Sequence, residues 1–330
     1  MPLWKRAMAG LARSESITRF MQANRFARGL ASRFVGGDSA SAAIRKATEL
    51  SACGAAISLN YLGEYVESPE AVEENVSQIE SVIRLLGSSA LDVHVSIYPT
   101  QIGYAHSAGL GEANGLRIGR LLAEQPASGR LRLLMLDMED FPLVQHTLDL
   151  RERLAQSGCP TGITIQAYLH RTERDLRDLV ESGAAAIRLV KGAFAESPAR
   201  AWTKRPDIRR EYLKQAGYLL SADAGSHGLY PVFATHDDAT IRAVIGIAER
   251  NGWSPDEYEF EMLYGVRTPL QRRMVAEGRR LRLYVPFGTE WWPYTMHRIG
   301  ENPANARMVL SALWNSRPST PFDTPPVPSA

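Results

Sequence analysis

Apolar and polar positions along the chain repeat in a fixed rhythm. Short, β-branched apolar runs lie at 57–63, 93–99, 133–139, 161–169, 185–193, 230–236, 258–265 and 281–288. Between them, stretches at 68–86, 111–125, 143–157, 173–182, 208–222, 239–250 and 269–277 are each long enough for one helix and carry helical period. A further helix is expected at 40–50, with Asp38 or Ser39 as its N-cap. Strand–helix units repeated eight times predict an α/β protein built as a (βα)8 TIM-type barrel. A doubly wound open sheet is the alternative. It would require a Gly-rich phosphate turn after an early strand, and the chain contains no GxGxxG or P-loop.

The C-terminal ends of the predicted strands are unusually polar. Asn60 and Glu64, then Tyr98, Thr100 and Gln101, then Asp137, Glu139 and Asp140 close the first three. Gln166, Arg188 with Lys191, Thr235 with His236, Glu261 with Tyr264, and Tyr284 close the others. In a barrel these ends share one face, the face on which active sites are built. One polar strand end means nothing. A convergent set from every strand predicts an enzyme.

The two ends of the chain break the rhythm. Residues 1–37 carry Lys5, Arg6, Arg13, Arg19, Arg25, Arg28 and Arg33 against Glu15 alone, and lack the long apolar core of a secretory signal. Two readings stand: an arm that packs on the main domain, and a basic segment that lies on an anionic membrane surface. Residues 317–330 hold five prolines and read as a disordered tail. The expected layout is therefore a helical arm at 1–50, a barrel at 51–315 and a tail at 316–330.

Composition narrows the function. Of 330 residues 45% are hydrophobic and 22% charged, with a net charge of +2, so nothing in the whole-chain charge points to a nucleic acid. Two cysteines, Cys53 and Cys159, without CxxC spacing, exclude a thiolate metal site and fit a reducing, cytoplasmic setting, with peripheral membrane contact left open by the arm. No histidine or carboxylate stands at metal-binding helical spacing with His236, so no metal is expected.

The stretch 281–305 holds a second kind of signal. After an apolar run and two tryptophans, Tyr294, His297, Arg298 and Glu301 fall at i, i+3, i+4 and i+7, on one face of a helix. A phenol, an imidazole, a guanidinium and a carboxylate make either a solvated face with an Arg–Glu pair or one wall of a site. In 185–193, Arg188 and Lys191 have opposite parity, so both face the barrel interior only if the strand ends between them, as Gly192 suggests. An arginine buried there needs an acidic or ligand partner.

These stretches together resemble the proline dehydrogenase family, flavoenzymes that oxidise L-proline to pyrroline-5-carboxylate on FAD. YVPFGTEW, YxxHR and EN at 284–302 resemble its C-terminal signature. RLVKGAF at 188–194, LDMED at 136–140, QAYLHRTE at 166–173, THDD at 235–238 and FEMLYGVR at 260–267 resemble others, so the likeness runs from about 57 to 305. It implies FAD as cofactor, with hydride passing from the amine-bearing carbon to flavin N5. Carried over by position, Gln166, Arg188, Lys191, Gly192, Ala193, Thr235 and His236 would bind the flavin. Tyr98, Leu263, Tyr264, Tyr284, Tyr294, His297, Arg298 and Glu301 would shape the substrate pocket, and Asp137, Arg188, Tyr284 and Arg298 would serve catalysis.

Three positions depart from the pattern. Phe194 stands where the family usually has tyrosine. VSIYPTQIG at 95–103 aligns through Pro-Thr-Gln with a stretch whose active-site lysine is here Tyr98, and the first of two adjacent arginines is here His297. Two cations around a substrate carboxylate are thus replaced by a neutral phenol and a titratable imidazole. The leading expectation is an FAD enzyme oxidising the C–N bond of a proline-related amine, with a pocket altered from that for free L-proline and the carboxylate absent, masked or carried as a thioester. An ordinary L-proline dehydrogenase and a non-catalytic binding barrel are the alternatives, and a Schiff-base aldolase built on Lys191 is also compatible with spacing. The electron acceptor is open among a quinone, a carrier flavoprotein and oxygen.

Overall fold

In the computed structural model the described residues are 33–63, 66, 68–87, 89–126, 132–292 and, singly, 14, 20, 24, 29 and 296. Among them, eight parallel strands close in sequence order into a barrel. The strands are β1 Ala56–Tyr61, β2 Val93–Ile97, β3 Leu133–Leu136, β4 Thr161–Gln166, β5 Ala186–Val190, β6 Tyr230–Ala234, β7 Glu259–Leu263 and β8 Leu281–Phe287. The described helices are α1 Ala40–Ala52 before β1, α2 Pro69–Leu86, α3 Ala108–Ala123, α4 Val144–Gln156, α5 Thr172–Glu181, α6 Arg205–Leu219 with the short α7 Ala222–Ser226, α8 Asp238–Arg250 and α9 Thr268–Ala276. The predicted TIM-type architecture is therefore the observed one. The tail and almost all of residues 1–32 lie outside the described residues.

Local chemistry explains where the elements start and stop. Ser39, not Asp38, caps α1, its hydroxyl accepting from the Ala42 N–H. The expected helix at 208–222 is two helices, because the Ser221 hydroxyl accepts from the Ala224 N–H and starts a new turn. The expected strands at 161–169 and 185–193 run too far. The chain after Gln166 already turns, the Leu169 N–H donating to the Gln166 carbonyl at 3.3 Å. After Val190 it reaches Gly192 at φ +110°, outside strand geometry. Residues read as strand there are apolar loop.

Strand register sorts the side chains into two sets. Outward residues such as Ile57, Leu59, Val95, Ile163, Leu189, Phe233, Phe260 and Leu283 are buried beneath the helices in one continuous core. The inward set is not the usual stack of branched aliphatics. It includes Ser58, His94, Ser96, Thr164, Arg188, Glu259, Glu261 and Arg282, all buried.

Near the N-terminal end of the barrel Arg282 and Glu259 are each 0% exposed and form an ion pair. Arg282 also donates to Asp92 Oδ1 at 2.7 Å and to the Ile57 carbonyl at 2.6 Å. Burial opposes its charge, but Glu259 and Asp92 hold it above the ordinary arginine range. His94, fully buried one layer below Ser96, is pushed well below the ordinary imidazole range by burial and by Arg282, Arg188 and Arg280, so it is neutral. Removing one member of such a pair strands a desolvated charge, at about 3–5 kcal/mol. Glu259→Ala is accordingly expected to lower unfolding stability by roughly that amount, measured as a denaturant midpoint shift, while the folded fraction keeps its ligand-binding face.

Candidate active site

The C-terminal ends of the strands surround a cavity of about 320 Å³, lined by residues from β2 to β8. This is the lower end of the size range for small-molecule sites. Its floor is Arg188, on β5 and only 3% exposed. The Arg188 guanidinium pairs with Asp137 Oδ1 of the β3 end and with Glu261 Oε2 of β7. Its Nη2 reaches Glu261 Oε1 at 3.0 Å and the hydroxyls of Ser58 and Ser96 at 3.1 Å, and its Nη1 reaches the Thr164 hydroxyl at 3.2 Å. Burial works against the Arg188 charge, yet Glu261 and Asp137 hold it firmly protonated. One guanidinium faces two carboxylates. Burial pushes the Asp137 carboxyl up, against the pull of Arg188, and the nearby Glu261 adds to the rise.

From Asp137 a chain of hydroxyls runs across the cavity. Tyr284 Oη donates to Asp137 Oδ2 at 2.8 Å and lies 3.1 Å from Tyr98 Oη. A phenol has one proton, so the contact between the two tyrosines uses the proton of Tyr98. Tyr98 is set by its own strand end. The Tyr98 N–H donates to Gln101 Oε1 at 3.2 Å, and Thr100 donates through its N–H and its hydroxyl to the buried Glu139 carboxylate, both at 2.7 Å. The β2 and β3 ends are thereby locked to each other.

The opposite wall comes from β4, β5 and β6. Gln166 donates through Nε2 to the carbonyls of Glu139, at 3.1 Å, and Met138, at 3.4 Å, leaving its buried Oε1 without a partner. His236 Nε2 accepts from the Leu263 N–H at 3.3 Å, which places the imidazole proton on Nδ1, and that buried nitrogen is also without a partner. Lys191, just past the end of β5, lies 3.4 Å from Asp237 Oδ2. The Asp237 carboxyl is held low by Thr240, then by Lys191. The cavity thus presents one unsatisfied acceptor, one unsatisfied donor and a partly exposed cation. Such a set fits the N–H and carbonyl edge and the phosphates of a flavin dinucleotide.

Of the residues singled out in the sequence, Tyr98, Asp137, Gln166, Arg188, Lys191, Gly192, Ala193, Thr235, His236, Leu263 and Tyr284 line this one cavity. Tyr264 does not. Its parity is opposite to that of Leu263, and it is buried in the outer core at 2% exposure. Tyr294, His297, Arg298 and Glu301 lie outside the described residues. Sequence reasoning gave no role to Thr164, Ser58 and Ser96, small hydroxyls that only strand parity brings to Arg188. It noted Glu261 as a polar strand end without seeing it as the second counter-ion.

Comparison with known proteins bears on the same region. A family model described as proline dehydrogenase matches residues 43–310. Proline dehydrogenase 2 of Bacillus subtilis is 33% identical over 283 residues, covering 86% of this chain and 90% of that protein. The proline dehydrogenase of Deinococcus radiodurans is 33% identical over 287 residues, with the same coverage of both. Among solved structures, proline utilization A of Bdellovibrio bacteriovorus, inactivated by N-propargylglycine, superposes with a TM-score of 0.72 at 22% identity. That match covers 92% of this chain and 37% of the larger protein, so it speaks to the fold.

His236 yields a pH prediction. Burial lowers its imidazole to about 4, with Arg267 and Lys191 adding to the effect. Between about pH 4 and 6.5 the unfolded chain then binds a proton that the folded chain refuses. Stability is expected to be insensitive to this group above pH 6.5 and to fall by on the order of 3 kcal/mol as pH drops toward 4. Chemical denaturation of the parent and of His236→Gln across pH 4–8 checks this, the variant showing the shallower loss. Parallel curves would remove His236 from the account.

Proposed function

We propose that this chain, which belongs to the proline dehydrogenase family and is therefore an oxidoreductase acting on a CH–NH bond, oxidises the ring C–N bond of L-proline with FAD as its cofactor. Relatives named proline dehydrogenase, matched over nine-tenths of their length, support this substrate over a more distant one. The observation that carries the reading is the Arg188 floor beneath a cavity whose unpartnered groups, Gln166 Oε1 and His236 Nδ1, await a hydrogen-bonding ring. When bound, the flavin supplies a hydride acceptor. Arg188 would steady negative charge gained on that side of the site, since it is preorganised, dry and permanently protonated. The substrate must present a neutral amine. Tyr98, Tyr284 and Asp137 offer a hydrogen-bonded path along which an ammonium proton leaves, ending on a carboxyl that burial has already made more basic. Anaerobic bleaching of the flavin by L-proline tests the reading. A colourless protein that cannot take up FAD would sink it.

A second reading rests on Tyr98. This residue is 8% exposed and lines the cavity where the relatives' pattern implies a lysine. With His297 also in place of an arginine, two charge-assisted contacts to a carboxylate are gone, at about 2–5 kcal/mol each. On this reading the substrate is a proline derivative whose carboxylate is masked, carried or held by Arg298 alone. Steady-state kinetics decide between the two. If the parent turns over free L-proline at roughly 10⁴ M⁻¹s⁻¹ or better, the first stands. If it is far slower, Tyr98→Lys with His297→Arg is expected to raise the efficiency on L-proline by tenfold or more, mainly through KM, each tenfold being about 1.4 kcal/mol.

For the arm we keep the packing reading, supported by Val35, which is buried against Leu62 and Trp291. Among the described residues no helix is long and apolar enough to cross a membrane. The expected result is that the intact protein and a variant lacking 1–32 bind vesicles of anionic lipid equally weakly. Salt-sensitive binding of the intact chain, lost on truncation, would establish a membrane-surface role instead.

A further inference from the structure

Residues 33–37 cross the rim of the barrel at its catalytic end, and the contact is one of backbone on backbone. The Gly36 N–H donates to the Pro286 carbonyl at 2.8 Å, and the Gly288 N–H donates to the Gly37 carbonyl at 2.9 Å. Gly265 sits at φ +76°, and a Cβ there would drive into the Arg33 carbonyl oxygen. A Cβ on Gly36 would meet Val285 Cγ1 at 2.5 Å. Gly36 and Gly265 therefore make room for the crossing, where any larger residue would push it off. Between them Val35, 6% exposed, is wedged against Leu62 and Trp291, with Phe34 and Trp292 packed around it.

Among the described residues, the strap contacts given above lie at and beyond the exits of β7, β8 and β1. Gly265 follows Leu263 by two residues, and Val285 and Pro286 follow Tyr284 directly. Leu263 and Tyr284 both line the cavity. Of the groups proposed for the cofactor, Gln166 at the end of β4 and Arg188 and Lys191 on and after β5 stand across the barrel from β8 and β1, whereas His236, after β6, adjoins β7; none of the strap contacts above falls on these residues. We infer that the strap 33–37 is a positioning element for the substrate half of the active site, with Val35 and Gly265 as its positioning residues. It rests on the reading that proline-type substrates bind on the Tyr284–Leu263 side. Seated, it fixes the first turn after β8 and the exit of β7, so that Leu263 and Tyr284 are held before substrate arrives. Unseated, it leaves the flavin groups in place and lets that wall move.

The test uses the full-length, flavin-loaded protein, with Val35→Ala, Gly265→Ala and a variant lacking residues 2–37, which retains Asp38 and the Ser39 cap of α1. Three quantities are measured: flavin per chain, amide hydrogen exchange at 288–292, and kcat and KM for L-proline. Faster exchange at 288–292, flavin content near that of the parent, and a KM raised roughly tenfold with kcat within a factor of two are expected. A general loss of structure would instead lower flavin content and kcat together. Two results overturn the proposal: exchange at 288–292 unchanged in all three variants, or faster exchange with an unchanged KM. If the truncated chain does not fold, the two point variants carry the same comparison. If L-proline fails to reduce the parent flavin, the substrate reading falls. Exchange then decides the strap on its own, faster exchange in the variants upholding its positioning role and unchanged exchange overturning it.

Discussion

The structure depends on a guanidinium buried at the centre of its barrel. Arg188 extends from β5 and bonds to Ser58 on β1, Ser96 on β2, Asp137 at the end of β3, Thr164 on β4 and Glu261 on β7. One side chain therefore ties six of the eight strands. Burying that charge alone would be prohibitive, and only the two carboxylates and three hydroxyls make it tolerable. The same requirement explains the inward hydroxyls and carboxylates on β1, β2, β4 and β7 and at the end of β3. It explains why the interior is polar where a structural barrel would be aliphatic. Arg282 repeats the arrangement one layer down with Glu259 and Asp92, so the charged centre rests on a second charged layer.

This arrangement explains what could be read from the sequence. The alternation of short apolar runs and helical stretches gave the barrel, because outward strand faces and inward helix faces must both be apolar to pack. Arg188 was legible too, since an arginine amid an apolar strand has to find a counter-charge. Its second partner, Glu261, was not, because pairing across a closed barrel depends on shear and register that no local pattern encodes. The over-long strands at 161–169 and 185–193 fail for a related reason. Apolar residues continue past the last ladder bond when the loop itself is buried, and composition cannot tell a buried loop from a strand. Tyr264 was misplaced by a single step of parity. The strap at 33–37 left no trace at all, because its signal is two glycines, at 36 and 265, that are ordinary in any loop.

The two halves of the site differ in how they are held. Cofactor-side groups sit on strand ends braced by direct bonds: Gln166 by the carbonyls of Met138 and Glu139, His236 by the Leu263 N–H, Lys191 by Asp237. The residues proposed for the substrate are held in both ways: Tyr98 and Tyr284 by bonds to Gln101 and Asp137, and the chain beyond β8 by packing from outside the barrel, through Val35, Leu62 and Trp291.

Charge at the cavity floor bears directly on substrate choice. Arg188 is matched by two carboxylates, so the floor carries a formal excess of one negative charge, buried and weakly screened. A lysine at position 98 would have cancelled it. Tyr98 does not, and its hydroxyl is drawn into the Asp137 chain instead. The floor as built therefore favours the cationic nitrogen of an amine and disfavours an anion placed close to it. A substrate carboxylate has to be held at a distance from Asp137 and Glu261, or be absent. Of the substitutions that separate this chain from its relatives' pattern, the one at Tyr98 thus acts twice: it removes an attractive partner for the carboxylate and leaves a repulsive floor uncompensated. If the substrate is L-proline as proposed, that double effect falls on position 98, whose hydroxyl is already engaged with Tyr284 above Asp137.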